Sequence, residues 1–240
     1  REIVNAEIDI LRELGVVFRT GVEVGKDVTL DELRGQGFEA FYIAIGAQCG
    51  RKLGLANEDA QGVVAGVDFL RAVSQGHSMD LSGKVVVVGG GNVAIDVART
   101  AIREKGDTVE MYCLESREEM PALEEEIAEA EAESIPVHNG WGPKELLVEN
   151  GHIKGIVFMR CISVYDENRR FAPQYDPNET ITGDADWVLL SIGQEIQWGG
   201  LLDGSAVEFG RGRTAVADPL TYQTAQKDIF VGGDCCTGPK

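Results

Sequence analysis

Gly89-Gly90-Gly91 lies between four valines, Val85–Val88, and the helical pattern Val93–Glu104. A strand, a tight turn and a helix start, in that order, can hold the diphosphate of a dinucleotide. The first N–H groups of a helix have no internal partner, and the positive end of its dipole faces the turn. The residue types suit that task. Gly89 allows a sharp reversal, and Gly91 keeps side chains away from a diphosphate. Ala94, where a third glycine often stands, still lets the helix pack close to its strand. Gly90, Asn92 and Val93 complete the turn and open the helix, so all six residues are cofactor-binding candidates.

Such a unit requires a second strand ending in a residue that reads the adenosine ribose. Val93, Val97, Ala98, Ala101 and Ile102 form a helical stripe, Lys105-Gly106-Asp107 breaks it, and Thr108–Leu114 supplies the strand. Glu115 follows. A carboxylate there accepts hydrogen bonds from the ribose hydroxyls of NAD(H) and repels a 2′-phosphate, by about 3 kcal/mol for unit charges a bond-length or two beyond contact in a partly screened site. Ser116 and Arg117 come next, and Arg117 could offset the repulsion by pairing with the phosphate. NAD(H) is therefore expected over NADP(H). The alternative reading of Glu115 is a solvated charge at a strand end. Asp96, just over one turn into the helix, could touch nucleotide, backbone or solvent.

The net charge of −18 over 240 residues opposes binding to nucleic acid or to an anionic membrane surface. Nine glutamates and one arginine fall within Glu115–Glu133, where Leu123, Ile127 and Ala130 recur at helical spacing, so a solvated helix is expected there. No run approaches the length of a membrane span, and no signal peptide is legible. Cys49, Cys113, Cys161, Cys235 and Cys236 form no C-x-x-C pair, which fits reduced thiols in a cytoplasmic protein and opposes a disulfide reductase. No cluster has metal-ligand spacing. Arg1 inside an amphipathic pattern and Pro239-Lys240 after a glycine-rich turn read as the ends of a piece of a longer polypeptide.

The remaining elements are expected as follows. Helices cover Arg1–Gly15, Leu30–Arg34 (capped by Thr29) and Val67–Gln75. Strands cover Val16–Phe18, Val22–Val24, Phe38–Gly46, Pro136–Asn139, Glu145–Val148, His152–Arg160, Cys161–Tyr165, Ala185–Gly193, Ala215–Ala217 and Asp228–Val231. Asn150-Gly151 makes a hairpin turn, and the polar, proline-bearing Phe171–Gly183 reads as a loop. Ser82-Gly83-Lys84 resembles a phosphate-loop ending but lacks the following Ser or Thr. Asn178-Glu179-Thr180 is a glycosylation sequon best read as a plain polar loop.

On Gly89–Asp96, Ser116–Ala122 and Asp228–Pro239, the chain resembles the small (beta) subunit of glutamate synthase and related FAD/NAD(P)-dependent oxidoreductases. These are flavoproteins of the glutathione-reductase type, with two dinucleotide domains. The resemblance implies an α/β fold in which a Rossmann-like NAD(P)-binding domain, a parallel sheet with a β-meander crossover, is inserted in a partial FAD-binding domain. The implied boundaries are 1–61 and 195–240 for the FAD part and 62–194 for the NAD(P) part. Gly233 and Asp234 fall in the carboxy-terminal flavin motif, with Asp234 on the ribityl chain. Gly46 and the pair Ile192-Gly193 match the two domain-junction turns. An FAD glycine loop and a cysteine segment for iron–sulfur clusters would precede Arg1, so weak or absent FAD binding is expected of this chain alone. NADP-using relatives often carry two arginines where this chain has Leu114 and Glu115.

The resemblance implies hydride transfer between NAD(P)H and FAD in the intact protein, with electrons passed on to iron–sulfur clusters or an electron-acceptor subunit or domain. The cofactors carry such chemistry, so no catalytic side chain is named. A non-catalytic nicotinamide-nucleotide-binding or redox-sensing module is the alternative. A single-domain dehydrogenase fits less well, because no Tyr-x-x-x-Lys occurs and His77, His138 and His152 are scattered.

Overall fold

A computed structural model describes residues 2–239. The chain divides into two compact units. One comprises the residues up to Ala44 together with Gln197–Thr237, and the other comprises Ile45–Ile196 together with Gly238 and Pro239.

In the first unit, α1 (Glu2–Glu13) and α2 (Leu30–Gly35) precede the short strand β1 (Phe41–Ile43). The expected α1 forms, yet it buries none of its apolar stripe: Ile3 is 79% exposed and Ile10 57%. Arg1 lies outside the described residues. Thr29 caps α2 through a reciprocal box, its hydroxyl accepting from Glu32 N while the Glu32 carboxylate accepts from Thr29 N. The strands expected at Val16–Phe18 and Val22–Val24 do not form. Val24 makes one isolated bridge to Val28, because Gly25 turns the chain at φ +96 before a ladder can extend.

The second unit contains β2 (Cys49–Gly50), β3 (Val63–Ala65), α3 (Gly66–Ser74), β4 (Lys84–Val88), α4 (Asn92–Arg103), β5 (Thr108–Cys113), α5 (Glu124–Ala132) and β6 (Val137–Asn139). After these come β7 (Trp141–Glu149), β8 (His152–Tyr165), β9 (Phe171–Asp184), β10 (Trp187–Leu190) and β11 (Gln194–Glu195). Five parallel strands form one sheet in the order β3-β10-β4-β5-β6, and β7-β8-β9 form an antiparallel meander. Within this unit β2 pairs antiparallel with β11, which ties Cys49 and Gly50 to Glu195 and Gln194.

The sheet is covered on both faces, which explains the unbroken apolar run in β4. Val85 and Val87 pack with Ala94, Ile95, Val97 and Ala98 of α4 and with Phe69, Ile127 and Ala130. Val86 and Val88 pack with Ile153, Ile156 and Phe158 of the meander. Strand periodicity of two thus sends alternate valines into a helical layer and a β layer. α4 ends where Lys105 adopts φ +69 and Gly106 N returns to Ala101 O.

Two meander expectations change. The segments His152–Arg160 and Cys161–Tyr165 are one strand, and Phe171–Gly183 is strand β9 rather than a loop. Among the described residues β9 pairs only with β8, so Pro173 and Pro177 sit on an edge, and register shifts along the β8–β9 pairing absorb the irregularity, the one past Pro177 lying in β9. The Asn150-Gly151 hairpin forms as expected, both residues at positive φ.

The chain returns to the first unit, where β12 (Ile229–Val231) pairs in parallel with β1 and runs into α6 (Asp234–Thr237). Ala215 makes only an isolated bridge to Phe209, so no strand forms at Ala215–Ala217. Among the described residues, no helix is long and apolar enough to cross a membrane.

Candidate functional site

The glycine turn closes the carboxyl end of β4. Gly89 has φ +142, and a Cβ there would lie 2.3 Å from Ser191 O, which itself follows β10. No side chain fits, so glycine is required by packing as well as by conformation. A Cβ on Gly90 would meet Glu115 Oε2 at 2.9 Å and Cys113 Cβ at 3.0 Å. Gly91 differs: a Cβ there would approach nothing nearer than Pro121 Cγ at 4.0 Å. Gly91 is the N-cap of α4 and supplies no capping side chain, while the first turn of α4 carries no acidic residue. The first-turn N–H groups of Asn92 and Val93 thus begin a helix with open space before its cap. Ala94 is fully buried under the turn, which places α4 close against the sheet. Asp96 is exposed and faces solvent.

Glu115 stands two residues past β5, after Leu114, and sits half-buried against the glycine turn. Burial pushes its carboxyl above the usual range, and hydrogen bonds from its own backbone and that of Leu114 pull the other way. Its carbonyl accepts from Gly140 N at 3.1 Å and from Asn139 Nδ2 at 3.1 Å. The end of β5 is therefore pinned by β6, a contact 24 residues distant in sequence that no local pattern announces. Cys113, buried beneath it, has its thiol pushed up to about 12, first by desolvation and then by the Glu115 charge.

The segment Ser116–Leu123 loops out and comes back to the turn. Ala122 N donates to Gly90 O at 3.2 Å, and Leu123 N donates to Asn92 Oδ1 at 2.8 Å. Met120 and Ala122 anchor the loop in the helical-layer core. The structure thus brings Gly89, Gly90, Gly91, Asn92, Val93, Ala94 and Glu115 together. Ser116 lies on the loop with its hydroxyl on Glu119 Oε2 at 3.2 Å. Arg117 is paired instead with Glu124. Sequence reading missed the return of Ala122 and Leu123, the Asn139-Gly140 clamp, and Ser191, whose buried Oγ has no hydrogen-bond partner.

Ile192 packs partly buried on the meander side of the sheet, and Gly193 follows at φ +105. Arg51 N donates to Gly193 O at 3.1 Å, which extends the β2–β11 pairing by one step past Gly50, while Gly46, ahead of β2, stands at φ +67. In the other unit, Gly233 has φ +67 with nothing within 4 Å of a Cβ, and half-buried Asp234 opens α6. Gly232, by contrast, is covered by the Tyr42 ring. None of the five cysteines is in a disulfide, and among the described residues no group of His, Cys, Asp or Glu could hold a metal ion.

This chain is similar to several known proteins. It is 37% identical over 247 residues to the NADP(+)-dependent formate dehydrogenase subunit beta of Moorella thermoacetica, covering all of this chain and 34% of that protein. It is 30% identical over 258 residues to the glutamate synthase [NADPH] small chain of Escherichia coli, covering 99% of this chain and 54% of that one. The resemblance to the glutamate synthase small subunit drawn from sequence is thereby supported. Among solved structures, FprA of Mycobacterium tuberculosis in complex with NADPH superposes with a TM-score of 0.73 at 20% identity, covering 91% of this chain and 62% of FprA, and shares its fold. The expected α/β dinucleotide-binding architecture is the one observed. The chain spans only about a third to a half of the length of these curated relatives. The profile of the pyridine nucleotide-disulphide oxidoreductases matches residues 2–240, and the chain belongs to that family.

Proposed function

We propose that the Ile45–Ile196 unit binds a nicotinamide dinucleotide, with its diphosphate at Gly89–Gly91 and its adenosine ribose beside Glu115. Gly91 carries this reading, because its bare backbone borders open space at an uncapped helix start with no acid in the first turn. The diphosphate would accept from the N–H groups of Asn92 and Val93, and Ala94 would keep α4 close enough to present them. Ile192, Gly193 and Gly46 are assigned to the nicotinamide end, as the turns that close the unit.

Glu115 favours NAD(H) over NADP(H). Its carboxylate can accept from both ribose hydroxyls, and it would repel a 2′-phosphate. The names of the formate dehydrogenase and glutamate synthase relatives favour a second reading, in which NADP(H) binds and Arg117 takes the phosphate.

For the whole protein we propose an NAD(P)H-dependent flavoprotein oxidoreductase. The nicotinamide and the flavin, when bound, supply the hydride chemistry, and the protein orients them. Gly233 and Asp234 would meet the flavin, with the Asp234 carboxylate accepting from a ribityl hydroxyl. Iron–sulfur clusters or a partner subunit would take the electrons onward, a reading supported by the relatives' names as a beta subunit and a small chain.

The test is to titrate this chain separately with NADH, NADPH and FAD, and to repeat the titrations with Glu115→Arg. NADH should bind more tightly than NADPH, and the substitution should reverse that order. Tighter NADPH binding before the substitution overturns the role given to Glu115.

A further inference from the structure

The loop from Glu115 to Leu123 carries one cation, Arg117, among the glutamates of residues 115–133. Its guanidinium is already occupied. Nη1 lies 3.0 Å from Glu124 Oε2 and Nη2 lies 2.7 Å from Glu124 Oε1, a two-pronged pairing, while Nε lies 3.5 Å from Glu131 Oε1. Glu124 and Glu131 are seven residues apart on α5 and so share a helix face. The pairing spans the loop from its outgoing to its returning limb. The returning limb is itself held to the glycine turn through Ala122 N and Leu123 N. Arg117 is thus held toward α5, not toward the end of β5.

A planar guanidinium offers one fork to a carboxylate or to a phosphate. A 2′-phosphate recruiting Arg117 would first have to displace Glu124. It would also bring further negative charge to a loop that already holds Glu115, Glu118 and Glu119. We propose that Glu124, supported by Glu131, is a coenzyme-selectivity determinant: a resident carboxylate that occupies Arg117 and so withholds it from the 2′-phosphate of NADP(H). This rests on the proposed site, with the adenosine ribose beside Glu115. Selectivity against the phosphate then has two sources, repulsion by Glu115 and removal of the only compensating cation in the loop.

The test compares four proteins: the unaltered chain, Glu124→Gln, Glu124→Gln/Glu131→Gln, and that double variant with Arg117→Met. The dissociation constants of NADPH and NADH are measured for each at low salt. Both glutamates are exposed and glutamine preserves their shape, so folding should be unaffected. The double variant should bind NADPH about fivefold more tightly, as expected for release of an exposed but two-pronged ion pair. NADH affinity should change far less. The gain should vanish with Arg117→Met and shrink at about 0.5 M NaCl.

Unchanged NADPH affinity in the double variant overturns the proposal. So does an equal gain for NADH, which would mark a mere change of net charge, or a gain that survives Arg117→Met. If neither nucleotide saturates any of the four proteins, the nucleotide site itself fails and this proposal with it.

Discussion

Glu115 Oε2 lies 2.9 Å from the point where a Cβ on Gly90 would stand. The ribose-reading candidate and the diphosphate turn, 25 residues apart in sequence, are thus immediate neighbours. The parallel β4–β5 register, with Val88 opposite Tyr112, is what brings them together.

Two glycines of the turn should separate folding from binding. Gly91→Ala meets nothing nearer than Pro121 Cγ at 4.0 Å and has ordinary backbone dihedrals, so the fold should lose less than about 0.5 kcal/mol. Dinucleotide affinity should nevertheless fall at least about tenfold, because the methyl enters the space assigned to the diphosphate. Gly89→Ala should cost about 2 kcal/mol or more in stability, since the new methyl meets Ser191 O at 2.3 Å in a left-handed conformation. Urea unfolding and calorimetric titration of both variants check this. An unfolded Gly91→Ala, or one that binds normally, would contradict it.

Glu115 should make stability depend on pH in a defined direction. Burial raises its carboxyl in the folded state, so the folded chain holds that proton more tightly than the unfolded chain. Its penalty is absent below the ordinary glutamate range and grows as pH rises through the raised folded value. Glu115→Gln should therefore raise Tm relative to the unaltered chain at about pH 8 and make little difference near pH 4. Paired thermal melts across that range measure the difference, and a larger effect at acid pH would refute it.

Cys113 should be inert in the native protein. Its buried thiol is pushed up to about 12, so little thiolate exists at neutral pH. Iodoacetamide at about pH 8 should leave Cys113 unmodified until denaturant is added. Peptide mapping by mass spectrometry reads the outcome directly, and early native labelling of Cys113 would overturn the placement of that side chain.

Phe158 should be a principal support of the meander. It is fully buried and stacks on Tyr112, with ring centroids 4.2 Å apart and planes within 11° of parallel. Phe158→Ala should cost about 3–5 kcal/mol, the range for deleting a buried aromatic ring. Chemical denaturation gives the value. A loss below about 1 kcal/mol would mean that the β layer does not depend on this contact.

The sequence by itself determined the valine strand, the glycine turn, the α4 stripe with its stop at Lys105-Gly106, and the strand leading to Glu115. These rest on local chemistry: strand and helix periods, positive-φ glycines and a broken apolar stripe. It also carried the Thr29 cap and the Asn150-Gly151 turn, both set by neighbours a few residues apart. Only the tertiary structure decided what the local patterns leave open. β9 is a strand because β8 supplies its hydrogen bonds, although its own prolines and polar residues argue for a loop. The acidic helix is docked through Arg99 and Arg103 of α4, which pair with Glu129 and Glu133, partners invisible within the glutamate-rich segment. The pairing of Arg117 with Glu124 is likewise set by the fold of the loop onto α5. Charge and periodicity are properties of a segment, whereas the partner that satisfies them is chosen when distant segments fold together.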